Sequence, residues 1–162
     1  MSKRMRELFE DARRNGRKLF IPYVTAGYPT MKDTVPILLA AEAGGADIIE
    51  IGVPFTDPMA DGATIQHANQ IALEHGISVQ GCFDIVREAR EKGLKAPIVL
   101  MGYYNPLYSR GEARAVAEAK AAGADGFIVV DLPAEESGNF LAACRANDMS
   151  LIPLVAPTST NE

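Results

Sequence analysis

The chain has 162 residues, 16 Lys and Arg against 21 Asp and Glu, a formal charge of −5 and 48% hydrophobic side chains. This is apolar enough to bury one domain's core and charged enough to stay in water, which excludes general disorder. The acidic balance argues against a nucleic-acid partner, no apolar run approaches the ~20 residues of a bilayer span, and no signal-peptide pattern is visible, so a soluble, cytoplasmic protein without membrane partners is expected.

The first element is basic. Lys3, Arg4, Arg6, Arg13, Arg14, Arg17 and Lys18 outnumber Glu7, Glu10 and Asp11, while Met5, Leu8, Phe9 and Ala12 recur at helical spacing. This pattern predicts an N-terminal amphipathic helix over residues 1–17 packed on the body of the domain. A transit peptide is the alternative, and the acids count against it.

From residue 19 onward, short β-branched apolar runs alternate with longer stretches rich in Ala, Leu, Glu, Lys and Arg. The runs are Leu19 to Val24, Asp47 to Val53, Pro97 to Met101, Gly126 to Asp131 and Leu151 to Val155. They are nearly continuous, as in parallel strands buried on both faces. Helices are predicted near 33–44, 64–75, 79–92, 110–122 and 134–147, stopping at Gly44, Gly76, Gly93, Gly123 and Asn147. An internal echo supports repeated βα units: Ala43-Gly44-Gly45-Ala46-Asp47 precedes Ile48 to Ile51, and Ala122-Gly123-Ala124-Asp125 precedes Gly126 to Asp131.

Neither a Gly-x-Gly-x-x-Gly turn nor a P-loop occurs, so a (β/α)8 TIM-barrel type fits better than a doubly wound sheet. Five strands are too few to close it. Residues 1–162 therefore read as a single incomplete (β/α) barrel domain of the α/β class, truncated after about five βα units, whose first and fifth strands keep open edges. Ser159-Thr160-Asn161-Glu162 has the S-x-x-E form of a capping box that opens a further helix. Cys82 and Cys144 show neither a disulfide framework nor metal-ligand spacing with His67 or His75, and are expected to be half-buried thiols.

Chemistry is expected at the carboxyl ends of the strands. Glu50 lies inside Ile48-Ile49-Glu50-Ile51-Gly52-Val53, where burial raises a carboxyl pKa; it reads as a general acid/base, or else as a carboxylate satisfied by neighbours. The loop Pro54 to Gly62 adds Asp57 and Asp61, either of which serves a substrate N–H or a turn equally well. Met101-Gly102-Tyr103-Tyr104-Asn105-Pro106 offers an aromatic wall, or plain packing.

The run Glu50-Ile51-Gly52-Val53-Pro54-Phe55-Thr56-Asp57-Pro58-Met59-Ala60-Asp61-Gly62 resembles the signature of the tryptophan synthase alpha subunit family. Tyr23-Val24-Thr25-Ala26-Gly27-Tyr28-Pro29, Gly102 to Pro106 and Asp131-Leu132-Pro133-Ala134-Glu135-Glu136 fit the same family in the same order. The wording is closest to the alpha region of fungal bifunctional members. The resemblance implies a lyase of tryptophan biosynthesis that cleaves indole-3-glycerol phosphate to indole and glyceraldehyde 3-phosphate by a retro-aldol step, with no metal or organic cofactor. Pyridoxal phosphate would belong to a beta subunit or fused beta domain, the implied protein partner.

Carried over by motif, Glu50 matches the catalytic acid/base and Asp61 the acid that holds the indole N–H. Tyr103 lines the pocket, Tyr23 and Asp131 lie near its floor, and Pro54, Phe55 and Asp57 belong to the loop that communicates with the partner. Two departures stand out. Ala63 replaces the proline usual after Ala-Asp-Gly, and the family's sixth loop and phosphate-binding glycine turns lie beyond the matched strands. A non-catalytic half-barrel that binds a beta-type partner is the rival reading; another phosphate-binding barrel lyase or isomerase ranks below it.

Overall fold

Five short parallel strands lie side by side in chain order: β1 (Tyr23–Thr25), β2 (Ile49–Gly52), β3 (Ile98–Gly102), β4 (Gly126–Val129) and β5 (Ser150–Ile152). The computed structural model describes residues 1–156, so the capping-box sequence at 159–162 lies outside the described residues. Among those residues β1 and β5 each pair with one neighbour, leaving the expected open edges.

Among the described residues seven α-helices accompany the sheet: α1 (Lys3–Arg14), α2 (Thr34–Ala43), α3 (Ala63–Glu74), α4 (Val79–Glu91), α5 (Tyr104–Arg110), α6 (Glu112–Ala122) and α7 (Gly138–Ala146). The strands alternate between two apolar layers, as a pleat requires. Ile49, Ile51, Ile98, Leu100, Phe127 and Val129 face the helices and join Leu38, Phe83, Val86, Val116 and Phe140 in the larger core. Ile48, Val99 and Ile128 face the other way, toward Met5 of α1, with Leu19, Met101, Val130 and Ile152 around them. Each fully buried large side chain in these layers contributes roughly 1.5–3 kcal/mol.

Glycine stops the helices as the sequence predicts, although in α2 the positive φ falls on Gly45 (+95°) rather than on Gly44. The N-terminal helix ends three residues earlier than expected. Gly16 takes φ +60°, its N–H bonds to the Arg13 carbonyl and that of Arg17 to the Ala12 carbonyl, a Schellman closure. Arg17 is thereby released from the helix and pairs with Asp47. Phe9 faces solvent at 40% exposure, so the buried stripe of α1 is Met5 and Ala12 with Leu8 at its margin.

Three further expectations shift. The segment after β3, where no helix is predicted before residue 110, begins helix α5, which Gly111 at φ +89° separates from α6. The predicted helix 134–147 splits into a 3-10 turn, Ala134–Glu136, and α7, because buried Ser137 turns its hydroxyl onto the Ala134 carbonyl at 2.8 Å. Both cysteines are fully buried rather than half-buried, and burial pushes each thiol up to about 12.

The two echoed aspartates do the same work beneath the sheet. Asp47 donates its N–H to the Phe20 carbonyl, and its carboxylate receives the Phe20 N–H at 2.8 Å. Asp125 repeats the exchange with Ile98, at 2.8 and 3.0 Å. Each also takes arginine: Arg17 for Asp47, Arg4 and Arg90 for Asp125. Arg90 further donates to the carbonyls of Leu94, Ala96 and Gly123, so the buried pair is saturated with partners.

Candidate active site

Strands β1 and β2 and the segments that follow β2, β3 and β4 carry the residues singled out from sequence. Because Ile49 and Ile51 point to the helices, Glu50 projects from the opposite face, in register with Tyr23 of β1 and Val99 of β3. Among the described residues no hydrogen-bond donor or cation reaches its carboxylate. Partial burial alone pushes the Glu50 pKa above the ordinary 4.5, as expected of an acid/base group.

Tyr23 crosses the neighbouring strand. A Cβ on Gly52 would lie 1.9 Å from the Tyr23 hydroxyl, so only glycine lets the phenol lie over β2. Burial is the main cause that raises the Tyr23 pKa; a hydrogen bond with Thr25 lowers it, and the charges of Asp61 and Glu50 raise it again. Tyr23, Glu50 and Asp61 therefore share one field at the mouth.

The loop after β2 folds back onto Tyr103. The Tyr103 hydroxyl accepts the Ala60 N–H at 2.9 Å and donates to Asp61 Oδ2 at 3.2 Å, while its ring packs on Phe55 with centroids 5.2 Å apart. Burial and the nearby carboxylates hold the Tyr103 pKa above its ordinary value, so it remains a donor at neutral pH. Asp61 leads through Gly62 into α3, and that helix grips it from the other side. Gln66 Nε2 bonds the Asp61 carbonyl at 2.9 Å, and Asn69 Nδ2 approaches Asp61 Oδ2 at 3.5 Å.

Other expected residues take different places. Asp131 stands exposed at the rim rather than on the floor, and its Oδ1 accepts the Tyr104 N–H at 2.7 Å, capping the helix that begins beside Tyr103. Pro54 is buried and Phe55 half-buried against Tyr103, which leaves Asp57 as the exposed member of the expected partner-facing trio. Met59 beside it is 92% exposed. Ala63 simply starts α3, with Gly62 as N-cap. Among the described residues no group of three His, Cys, Asp or Glu side chains is arranged to hold a metal ion, and no helix is long and apolar enough to cross a membrane.

Sequence reading missed Asn69 and Gln66. The available signal was a polar side chain at Asn69 between Ala68 and Ala72, on the buried face of α3. Asn69 is 3% exposed, and its Oδ1 has no hydrogen-bond partner among the described residues. Leaving such an acceptor unmet costs about 1–3 kcal/mol.

The tryptophan synthase alpha chain family model matches residues 9–162. The chain belongs to that family. It is 49% identical to tryptophan synthase of Saccharomyces cerevisiae over all of its length and 23% of the yeast protein. It is 46% identical to the tryptophan synthase alpha chain of Chloroflexus aggregans over 96% of its length and 58% of that relative. The crystal structure of tryptophan synthase subunit alpha from Legionella pneumophila superposes with a TM-score of 0.95 at 37% identity, over 99% of this chain and 61% of that one. The five strands thus match the first part of the family's TIM barrel, and the chain spans about three fifths of the alpha chains it matches.

Proposed function

We propose that this chain carries the indole-side acid/base apparatus of an indole-3-glycerol-phosphate lyase in tryptophan biosynthesis. The observation that carries the reading is the pairing of a Glu50 on β2 whose pKa burial raises, and whose carboxylate meets no donor among the described residues, with an Asp61 carboxylate held in place by Tyr103 and α3.

The chemistry follows from what the bond requires. To cleave the carbon–carbon bond, indole C3 must gain a proton, giving an indolenine whose ring nitrogen becomes positive. The adjacent glycerol hydroxyl must then lose its proton as the bonding pair returns to the ring. A carboxyl with a raised pKa can serve in both proton transfers, which is Glu50's role. The Asp61 carboxylate faces the ring N–H and stabilises the positive charge as it develops. Tyr23 bounds the site from β1 and Tyr103 holds the Asp61 loop closed. The reading requires no metal or organic cofactor in this chain; pyridoxal phosphate belongs with a beta partner, and Asp57 on the exposed loop is the contact offered to it. A cytoplasmic location goes with this reading.

Indole release from indole-3-glycerol phosphate is the test, run on the same preparation as binding to a tryptophan synthase beta subunit. Release that Glu50→Gln abolishes supports the lyase. Partner binding without release, and with no indole affinity, supports the interaction module instead. The chain contains no tryptophan, so indole fluorescence excited at the red edge, beyond tyrosine absorption, reports binding without tryptophan background.

A further inference from the structure

Asn69 is a buried polar residue that the proposed mechanism leaves unused. It sits on α3 one turn after Gln66, and the two side chains hold Asp61 at different points: Gln66 takes the backbone carbonyl, and Asn69 faces the carboxylate. Both side-chain donors near Asp61, Tyr103 and Asn69, converge on Oδ2. Among the described residues none reaches Oδ1. The orientation of the amide is set by its neighbour, because the flipped form would place an amide oxygen against a carboxylate. That orientation leaves Asn69 Oδ1 without a donor.

We propose that Asn69 is a positioning residue for Asp61: together with Tyr103 it occupies Oδ2 and thereby turns Oδ1 toward the indole ring N–H. The inference rests on the lyase reading and extends it. An apolar side chain of similar size would fill the same space between Ala68 and Ala72 with no unmet acceptor. Keeping an amide there sacrifices some stability for a donor aimed at one carboxylate oxygen. The present 3.5 Å separation is long for a hydrogen bond, and such contacts tighten when substrate closes a site.

The consequence is a split between stability and function. Asn69→Leu should melt at or above the parent temperature, because it removes both the donor and the orphaned oxygen. Its indole affinity and its kcat for indole release should fall, kcat by on the order of tenfold to a hundredfold, with KM for indole-3-glycerol phosphate changed less. Asn69→Asp keeps the shape but sets carboxylate against carboxylate, so it should be weaker still. Combined with Asp61→Asn, the Leu change should add little, since its effect runs through that carboxylate.

Indole titration by fluorescence, turnover and thermal melting on the folded chain decide the matter, with Asn69→Ala as the substitute if Asn69→Leu fails to fold. Parental affinity and turnover in either variant overturn the positioning role while leaving the lyase reading intact. A lowered melting temperature with unchanged turnover per folded molecule overturns it too, by showing Asn69 to be structural. If the parent chain neither binds indole nor releases it, the lyase reading fails and takes this role with it.

Discussion

Asp125 below β4 and Glu50 on β2 are acids enclosed by the same sheet, and their surroundings differ completely. Asp125 receives Arg4, Arg90 and the Ile98 N–H, and its side chain is 4% exposed. Glu50 has no such partner among the described residues, and burial has moved its pKa upward. A buried carboxylate ringed with donors ties several elements together and bears load. One left without donors keeps both protonation states within reach, which is what proton transfer needs. The amino end of the strands is built for stability and the carboxyl end for chemistry.

The largest test of this contrast is Asp125→Ala. It removes one partner of buried Arg90 and leaves the buried Ile98 N–H unmet, and should reduce unfolding stability by about 3–5 kcal/mol in urea titrations, with no change in indole affinity per folded molecule. Glu50→Gln should do the opposite, lowering turnover by roughly 10² or more without loss of fold. The sign of its pH dependence is fixed. A folded-state pKa raised above 4.5 means that the parent loses stability as pH rises through the raised value. The melting advantage of Glu50→Gln should therefore open at neutral pH and vanish below about 4.5, the ordinary glutamate value. A variant no more stable than the parent at pH 7 would show that Glu50 has a hidden partner.

Smaller effects sharpen the picture. Tyr103→Phe removes a donor to Asp61 and an acceptor for Ala60 while keeping the ring against Phe55; about 0.5–1.5 kcal/mol of stability should be lost, with indole affinity falling alongside. Asp57→Asn, on the exposed loop, should leave melting within about 0.5 kcal/mol of the parent and register only in beta-subunit binding, measured by calorimetry. Loss of indole turnover without a beta subunit in that variant would place Asp57 in the site itself.

The sequence made the βα rhythm, the glycine helix stops and the acids at the mouth readable, because period and turn chemistry are local. Glu50 stood out because a charge inside Ile48 to Val53 has no local justification. The grip of α3 on Asp61 was not readable from spacing: Gln66 and Asn69 act through the fold of the Pro54 to Gly62 loop. Asp131 is singled out through the family resemblance alone; the structure adds that its carboxylate caps α5, a helix hidden in the sequence by the two tyrosines and Pro106. The echo of Asp47 and Asp125 was visible, but its purpose as a reciprocal clasp on the preceding strand needed the sheet.

The seating of α1 also fixes an order of events during synthesis. Ser2 donates its backbone N–H to Ser150 Oγ, Lys3 to Asp148, and Arg4 reaches Asp125. The first turn of α1 thus finds its partners only after 121 to 148 further residues exist, roughly 6–30 s later at the usual pace of translation. Until then Met5 has no Ile128 to cover it. Helix α1 thus emerges before the strands it packs on and docks late, and its five basic residues keep a nascent amphipathic segment soluble while it waits.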